Sequence, residues 1–192
     1  MAISGHVPFG YHREYGASLQ RFRGGREHIF ARRDVKYISI VRDPVERVKS
    51  FYRFVMATPA HRLHRRTRGQ SPEEFLRFLV ESTRTGAGAI NAQARLIGKG
   101  CRGDIEAIKR RIREDFHAVG VLEDIAPFVR HLADTLHWPQ DVEMGHFNRT
   151  SRPPPEEDFA PALVAWIRDR NRLDTELYEF VRSEGRQYWK PA

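Results

Sequence analysis

An arginine, an aspartate and a proline follow one another at Arg42-Asp43-Pro44, directly after a short apolar run. Asp43 suits the cap of a helix and Pro44 its first position, with Glu46 at the spacing of a capping box. Such a strand-to-helix turn brings free backbone N–H groups and the positive end of a helix dipole beside the Arg42 guanidinium. The pattern therefore predicts an anion site, which Ser50, two helical turns further on, reaches only if the bound anion extends along the helix.

This turn begins a longer segment that resembles the 3'-phosphate-binding segment of sulfotransferases, most closely in the heparan sulfate and related carbohydrate branch. The segment is Arg42-Asp43-Pro44-Val45-Glu46-Arg47-Val48-Lys49-Ser50-Phe51-Tyr52. In that family the arginine of the turn and a serine eight residues later bind the 3'-phosphate of the sulfate donor, 3'-phosphoadenosine 5'-phosphosulfate. The resemblance implies that Arg42 and Ser50 bind the donor. The alternative is an ordinary capped helix whose arginine pairs with a nearby carboxylate.

Two other segments resemble polar parts of the same family. Gly5-His6-Val7 is similar to a segment of the 2-O-sulfotransferases whose histidine is taken as the base, which implies that His6 deprotonates the acceptor hydroxyl. A neutral imidazole suits this role because its pKa lies near the operating pH, although a lone histidine is more often structural. Asn148-Arg149-Thr150 falls where the family has a polar loop near the nucleotide, which implies that Arg149 and Thr150 bind the donor; it also has the pattern of a glycosylation acceptor.

Asn91-Ala92-Gln93 resembles an Asn-x-Gln element of related members, and the run from Val119 to Glu123 resembles their late core strand. We expect both segments to serve packing more than chemistry.

The chain departs from the family at its beginning. Members open with a strand and a loop of Lys or Arg with Ser or Thr that binds the 5'-phosphosulfate, and this loop should precede Gly5-His6-Val7. We therefore expect a fold that lacks the first strand and loop, because of a start assigned too late, a fragment or a degenerate binding protein. Loss of the loop removes a cation that stabilises the leaving phosphate, so sulfate transfer by the chain as written is in doubt.

The surrounding pattern predicts the elements that position these residues. The runs 37–41 and 116–122 are apolar enough for strands buried in a sheet, and amphipathic stretches with caps at Asp43, Ser71 and Asp104 predict helices. Strands and helices alternate, which indicates an α/β fold with a short parallel sheet flanked by helices. The resemblance makes this a P-loop-like sulfotransferase fold, in a single domain over 1–192. The stretch from His61 to Arg68 predicts a mobile, solvated basic loop, with an anionic partner as the alternative.

Composition restricts the partners and the compartment. A formal charge of +8 and a sequence pI near 10.0 favour anionic partners, although an arginine-rich genome would raise the same count. No basic stripe with interleaved aromatic residues and no groove-binding motif points to nucleic acid. Cys101 is the single cysteine and cannot form an intrachain disulfide, which favours a cytoplasmic location. No apolar run is long enough to span a membrane, and no signal pattern follows Met1.

The sequence thus predicts an enzyme that moves a sulfuryl group from 3'-phosphoadenosine 5'-phosphosulfate, without a metal, to a hydroxyl group. The resemblance implies a carbohydrate or glycan acceptor, and a small molecule is also open. The alternatives are a catalytically impaired fragment and a module that binds nucleotides or polyanions such as nucleic acid.

Overall fold

The computed structural model describes residues 36–82, 90–138 and 159–191. In this part of the chain, strands β1 (Tyr37–Val41) and β2 (Phe116–Val121) run parallel, with Val41 opposite Val121. The helices are α1 (Pro44–Ala57), α2 (His64–Thr67), α3 (Pro72–Glu81), α4 (Ala92–Ile97), α5 (Ile105–Asp115), α6 (Ile125–Leu136), α7 (Pro161–Arg170) and α8 (Arg172–Glu184). Turns of 3₁₀ helix follow β2 at Leu122–Asp124 and α8 at Gly185–Tyr188. The parallel pair with flanking helices confirms the predicted α/β class.

The two strands differ in how deeply they are buried. β2 is buried along nearly its whole length, as predicted, but Leu122, the last residue of the predicted run, lies in the 3₁₀ turn that follows and is 42% exposed. Its Gly120 lets α6 pack closely, because a Cβ at this position would lie 2.5 Å from the ring of Phe128. The prediction that β1 is buried is wrong for one of its faces, since Ile38 and Ile40 are 39% and 47% exposed. Among the described residues β1 pairs with β2 alone, and its buried Val41 lies on the opposite face.

The predicted helix starts are confirmed at three positions. Asp43 caps α1, Asp104 caps α5, and Ser71 caps α3 in a reciprocal capping box with Glu74. The apolar stripe of α1 contributes to one core cluster together with residues of α3 and α7. The buried members of that cluster on these three helices are Val45, Val48, Tyr52, Val55, Phe75, Leu76, Leu79, Leu163 and Ile167. Packing on this stripe fixes which side chains of α1 remain at the surface.

The prediction of a mobile loop from His61 to Arg68 is wrong. The segment contains α2, whose flanking Leu63 and internal Thr67 are buried. The Thr67 hydroxyl donates a hydrogen bond to the Leu63 carbonyl (3.0 Å), and His64 Nδ1 donates to the carbonyl of Val55 in α1 (2.8 Å). The charge pattern concealed this turn because arginines separate the two residues that pack inward.

A buried histidine lies in β2. His117 is 3% exposed, and its Nε2 lies 3.0 Å from Thr135 Oγ1. The Thr135 hydroxyl donates to the His131 carbonyl (2.8 Å), so it accepts from His117, whose Nε2 therefore carries the proton. Burial, and after it the charges of Lys36, His131 and Lys190, lowers the pKa of His117 below the usual 6.5. The folded chain consequently holds this imidazole neutral at neutral pH.

We expect the free energy of unfolding to fall as the pH drops below about 6.5. His117 in the unfolded chain takes up a proton near that pH, whereas the folded chain resists protonation, so acid favours unfolding by about 1.4 kcal/mol per unit of pKa difference. Urea unfolding at pH 7 and pH 5 measures the effect. His117→Asn should reduce the difference between the two pH values, and the exposed His137→Asn should not. Equal pH dependence in His117→Asn and the unsubstituted chain would contradict this assignment.

None of the helices in the described ranges is both long enough and apolar enough to cross a membrane. The cytoplasmic location stays a prediction.

Candidate functional site

The carboxyl ends of β1 and β2 bring two loops together at one edge of the sheet. Arg42 and Asp43 follow β1, and Leu122–Asp124 follows β2. The Asp43 N–H donates to Glu123 Oε1 across this edge (3.4 Å), and Arg42 Nε lies 3.7 Å from the same oxygen. Ligands of open α/β sheets bind outside the carboxyl ends of the strands, so this edge is the candidate site.

The Arg42 guanidinium lies at this edge with its side chain 31% exposed. Its Nη2 lies 3.9 Å from Glu46 Oε2, beyond hydrogen-bond distance. Its Nε is buried and has no hydrogen-bond partner among the described residues. Arg42 thus has two carboxylates nearby as counter-ions, but it keeps donors that an additional anion can accept.

The backbone N–H groups of this turn are not free, which corrects the prediction made from the sequence. Asp43 Oδ1 accepts from the N–H groups of Val45 (2.8 Å) and Glu46 (3.1 Å), while Glu123 accepts from that of Asp43. The Arg42 N–H donates to Gln93 (2.7 Å). The Asp43 cap and two distant side chains therefore consume these donors, and the Arg42 side chain is left to supply hydrogen bonds to an anion.

Ser50 lies on the exposed side of α1. It is four residues beyond Glu46 and therefore on the same face of the helix, about 9 Å along the axis from the start of α1. The Glu46 carboxylate between Arg42 and Ser50 also forms an ion pair with Lys49 (3.1 Å). The joint role of Arg42 and Ser50 in phosphate binding stays a prediction.

Two charged neighbours of the turn were not identified from the sequence. Arg168 of α7 forms an ion pair with Asp43 (3.4 Å), and Glu123 contacts the turn as described above. Glu123 could have been found, because it follows one of two strands predicted to be parallel, whose carboxyl ends share an edge. No such pattern indicates Arg168, which is one of two arginines in the last turn of a helix with no marked apolar stripe.

A cavity of about 490 Å³ lies beside the turn, between the end of β2 and α8. Glu123 borders both the cavity and the Arg42 guanidinium. Tyr178, Arg182 and Arg186 line the cavity from the side of α8 and the turn that follows it. Its volume lies in the range of small-molecule sites, although Arg42 itself does not line it.

Helices α4 and α8 cap one another next to Gln93, which contacts Arg42 of the candidate site. Asn91 Oδ1 accepts from the N–H groups of Leu173 (3.1 Å) and Asp174 (3.2 Å) at the start of α8. In return, the Asp174 carboxylate accepts from the N–H groups of Gln93 (3.3 Å) and Ala94 (2.8 Å) at the start of α4. These contacts join parts of the chain about 80 residues apart and so fix α4 against α8.

The Asp174 carboxylate is fully buried and lies 3.8 Å from Arg47 Nε of α1. Burial raises the pKa of Asp174, and the Ala94 N–H and the charge of Arg47 oppose the rise. Burial likewise lowers the pKa of Arg47, opposed by Asp174, but an arginine remains protonated at neutral pH. The pair therefore connects α1, which begins at the candidate site, to the α4–α8 contact.

Three of the residues predicted to act in the site, His6, Arg149 and Thr150, lie outside the described residues. Within the described ranges, no group of three or more His, Cys, Asp and Glu side chains is arranged to bind a metal ion.

Comparison with known proteins gives one family match. A model of the sulfotransferase family, described as "Sulfotransferase family", matches residues 17–181, which is well over half of the chain and includes the Arg42 turn, Gln93, Glu123 and Asp174. No curated protein and no solved structure matched significantly. The chain belongs to the sulfotransferase family.

Proposed function

We propose that the chain transfers a sulfuryl group from 3'-phosphoadenosine 5'-phosphosulfate and that Arg42 and Ser50 bind the 3'-phosphate of this donor. The observation that carries the proposal is the partly exposed Arg42 guanidinium at the carboxyl edge of the sheet, whose two neighbouring carboxylates lie beyond hydrogen-bond distance. A planar guanidinium matches the oxygens of a phosphate group in two parallel hydrogen bonds. The family match supports sulfate transfer as the reaction class.

Glu46 and Glu123 compete with a phosphate for Arg42, and the phosphate is the stronger partner. Both carboxylates lie more than 3.5 Å from the guanidinium and are about 40% exposed. Exposed pairs of this kind contribute about 0–1 kcal/mol each. A dianionic phosphate that forms two charge-assisted hydrogen bonds therefore displaces them at modest cost.

The proposed reaction follows the resemblance of the chain to sulfotransferases. His6 takes the proton of the acceptor hydroxyl, and the resulting oxygen nucleophile forms a bond to sulfur. The bond between sulfur and the phosphate oxygen breaks, and 3'-phosphoadenosine 5'-phosphate leaves with the electron pair. Arg42 and Ser50 hold its 3'-phosphate, while Arg149 and Thr150 contact other parts of the nucleotide.

Calorimetric titration with two nucleotides tests donor binding. We expect 3'-phosphoadenosine 5'-phosphate to bind at least tenfold more tightly than 5'-AMP, since an added charge-assisted contact is worth about 1.5–3 kcal/mol. The two ligands share the adenine, ribose and 5'-phosphate, so the ratio isolates the 3'-phosphate. Equal affinities would reject the proposed donor, and binding without transfer to any acceptor would favour a binding module.

For the acceptor we propose an acidic glycan, supported by four exposed arginines on and around α2. This arginine patch consists of Arg62, Arg65, Arg66 and Arg68. None of them forms an ion pair with a carboxylate of the described residues, and no Asp or Glu occurs in the sequence between Glu46 and Glu73. Guanidinium groups bind sulfate and carboxylate in the same planar geometry, so the patch suits a chain that carries such groups.

The arginine patch is held in place by packing. Besides the contacts of Thr67 and His64, the Tyr52 hydroxyl donates to the carbonyl of Gln70 (2.9 Å), just beyond the patch. Arg66 stacks on the ring of Phe78 at 4.9 Å, which fixes one of the four side chains. A positioned patch loses less conformational entropy on binding than a mobile loop.

The exposed face of α1 connects the candidate site to the arginine patch. The exposed face of α1, with Ser50 and Phe54, leads from the Arg42 turn toward the arginine patch. Phe54 is 37% exposed and packs edge-on against His61 (ring centroids 5.5 Å apart), next to Arg62. An acidic glycan bound along this face would reach the site with its hydroxyl groups.

We expect the triple variant Arg62→Gln/Arg65→Gln/Arg68→Gln to bind a heparin-derived oligosaccharide more weakly, on the order of tenfold. This estimate assumes that each exposed contact contributes about 0.5 kcal/mol. Affinity for 3'-phosphoadenosine 5'-phosphate should not change. Calorimetry at two salt concentrations measures both effects, and the salt dependence should weaken as well.

A matched control replaces three exposed arginines elsewhere, Arg102→Gln/Arg110→Gln/Arg130→Gln, with the same change in net charge. An equal loss in both triple variants would show that general charge, not the patch, attracts the glycan. Tighter binding of a single-stranded oligonucleotide than of the oligosaccharide would favour a nucleic-acid partner.

A further inference from the structure

The side-chain amide of Gln93 forms two hydrogen bonds with the backbone of one residue, Arg42. The Arg42 N–H donates to Gln93 Oε1 (2.7 Å), and Gln93 Nε2 donates to the Arg42 carbonyl (2.9 Å). Arg42 is the first residue beyond the end of β1. Gln93 therefore supplies the pair of hydrogen bonds that a neighbouring strand would otherwise supply, at the point where the guanidinium leaves the sheet.

Few side chains can make this contact. An amide carries an acceptor and a donor on one planar group, which matches the N–H and C=O of a single peptide residue. A carboxylate of the same shape accepts from the N–H but repels the carbonyl oxygen, and an apolar side chain leaves both groups unpaired. The contact thus depends on glutamine and not merely on a side chain that fills the space.

Contacts of its own backbone hold Gln93 in place. Its backbone N–H, with that of Ala94, is bound by the buried Asp174 carboxylate, and Asn91 closes the reciprocal contact onto α8. Asp174 also pairs with Arg47 of α1, the helix that begins just after Arg42. The position of the Gln93 amide is therefore fixed relative to both α8 and α1, so it limits how the Arg42 backbone can move.

We propose that Gln93 is a positioning residue, which holds the Arg42 backbone so that its guanidinium points at the 3'-phosphate. This proposal rests on the proposed function for the identity of the ligand. It assigns a functional role to an Asn-x-Gln element that the sequence predicts to serve packing more than chemistry. The expected consequence is specific: loss of the Gln93 contact weakens binding of the 3'-phosphate and leaves the rest of the nucleotide unaffected.

The test is the ratio of affinities for 3'-phosphoadenosine 5'-phosphate and 5'-AMP in Gln93→Glu, an isosteric change. We expect the ratio to fall roughly tenfold, the size of one lost hydrogen bond to a positioned charged group. Affinity for 5'-AMP should stay constant. A purely structural role would lower the folded fraction and reduce binding of both nucleotides equally, leaving the ratio unchanged.

A double-mutant cycle with Arg42→Ala then shows whether Gln93 acts through Arg42. In the Arg42→Ala background, Gln93→Glu should change the ratio by less than about twofold, because the side chain that it positions is gone. Additive effects would overturn the proposal. Gln187→Glu, the same substitution at an exposed position, is the control and should leave the ratio unchanged.

The outcomes separate the two proposals. If the unsubstituted chain binds both nucleotides equally, the proposed donor site fails and the role of Gln93 fails with it. If the unsubstituted chain prefers the 3'-phosphorylated nucleotide but Gln93→Glu keeps that preference, only the positioning role is overturned.

Discussion

Arg42→Ala should abolish the preference of the chain for 3'-phosphoadenosine 5'-phosphate over 5'-AMP. The substitution removes the guanidinium at the carboxyl edge of the sheet, and the backbone N–H groups of the turn cannot replace it because Asp43, Glu123 and Gln93 already accept from them. We expect a loss of about 2–3 kcal/mol in binding of the 3'-phosphorylated nucleotide, roughly 30- to 150-fold in Kd. Affinity for 5'-AMP should be retained.

Two further variants sharpen this measurement. Arg42→Lys keeps the charge but not the planar pair of donors, so its affinity should lie between those of the unsubstituted chain and Arg42→Ala. Arg110→Ala removes an exposed arginine of α5 and controls for the change in net charge. An unchanged nucleotide preference in Arg42→Ala would remove the basis of the donor assignment, since no other observation carries it.

The sequence predicts those contacts of the site that join residues close together in the chain. The capping of α1 by Asp43 and the first position of Pro44 depend on residues within one helical turn, and the structure confirms both. The capping box was only half correct: Glu46 donates its N–H to Asp43, while the Asp43 N–H is bound by Glu123, 80 residues away. Short-range patterns identify that a backbone donor needs a partner, but not which distant side chain supplies it.

Gln93 and Asp174 show the same limit more strongly. The sequence indicates Gln93 through the resemblance of Asn91-Ala92-Gln93 to an element of the family. Its contact with Arg42, however, spans 51 residues and depends on how α4 packs. Asp174 is near the start of a helix, where an acidic residue ordinarily interacts with its own helix dipole in solvent. Its burial beneath Arg47 and the start of α4 follows only from the packing of three helices, which no periodicity in the sequence specifies.

The prediction of a mobile loop around α2 fails for a different reason. Four arginines without an acid predict a solvated loop, and these arginines are indeed exposed. Leu63 and Thr67, four residues apart, nevertheless pack inward and form one helical turn. Two inward positions are too few to produce a recognisable apolar stripe, so the charge pattern dominated the interpretation.

The largest effect on stability is expected from Asp174→Ala. The substitution leaves the Arg47 guanidinium, 20% exposed, without its buried carboxylate, and removes the acceptor for the N–H groups of Gln93 and Ala94. Breaking a buried ion pair from one side costs about 3–5 kcal/mol, because the remaining charge loses its buried counter-ion. We expect a value near the lower limit, since Arg47 can turn toward solvent. Urea unfolding followed by circular dichroism measures it.

Asp174→Asn separates the charge from the cap, because its amide oxygen can still accept from the Ala94 N–H. We therefore expect Asp174→Asn to lose less stability than Asp174→Ala. The difference between their free energies of unfolding measures the contribution of the helix cap. Asp169→Ala is the control: its side chain is 56% exposed and pairs with Arg172, so it should change the free energy of unfolding by no more than about 0.5 kcal/mol. Equal, small effects at positions 174 and 169 would mean that the α4–α8 contact does not depend on the carboxylate. Gln93 would then lack the fixed support that its contact with Arg42 requires.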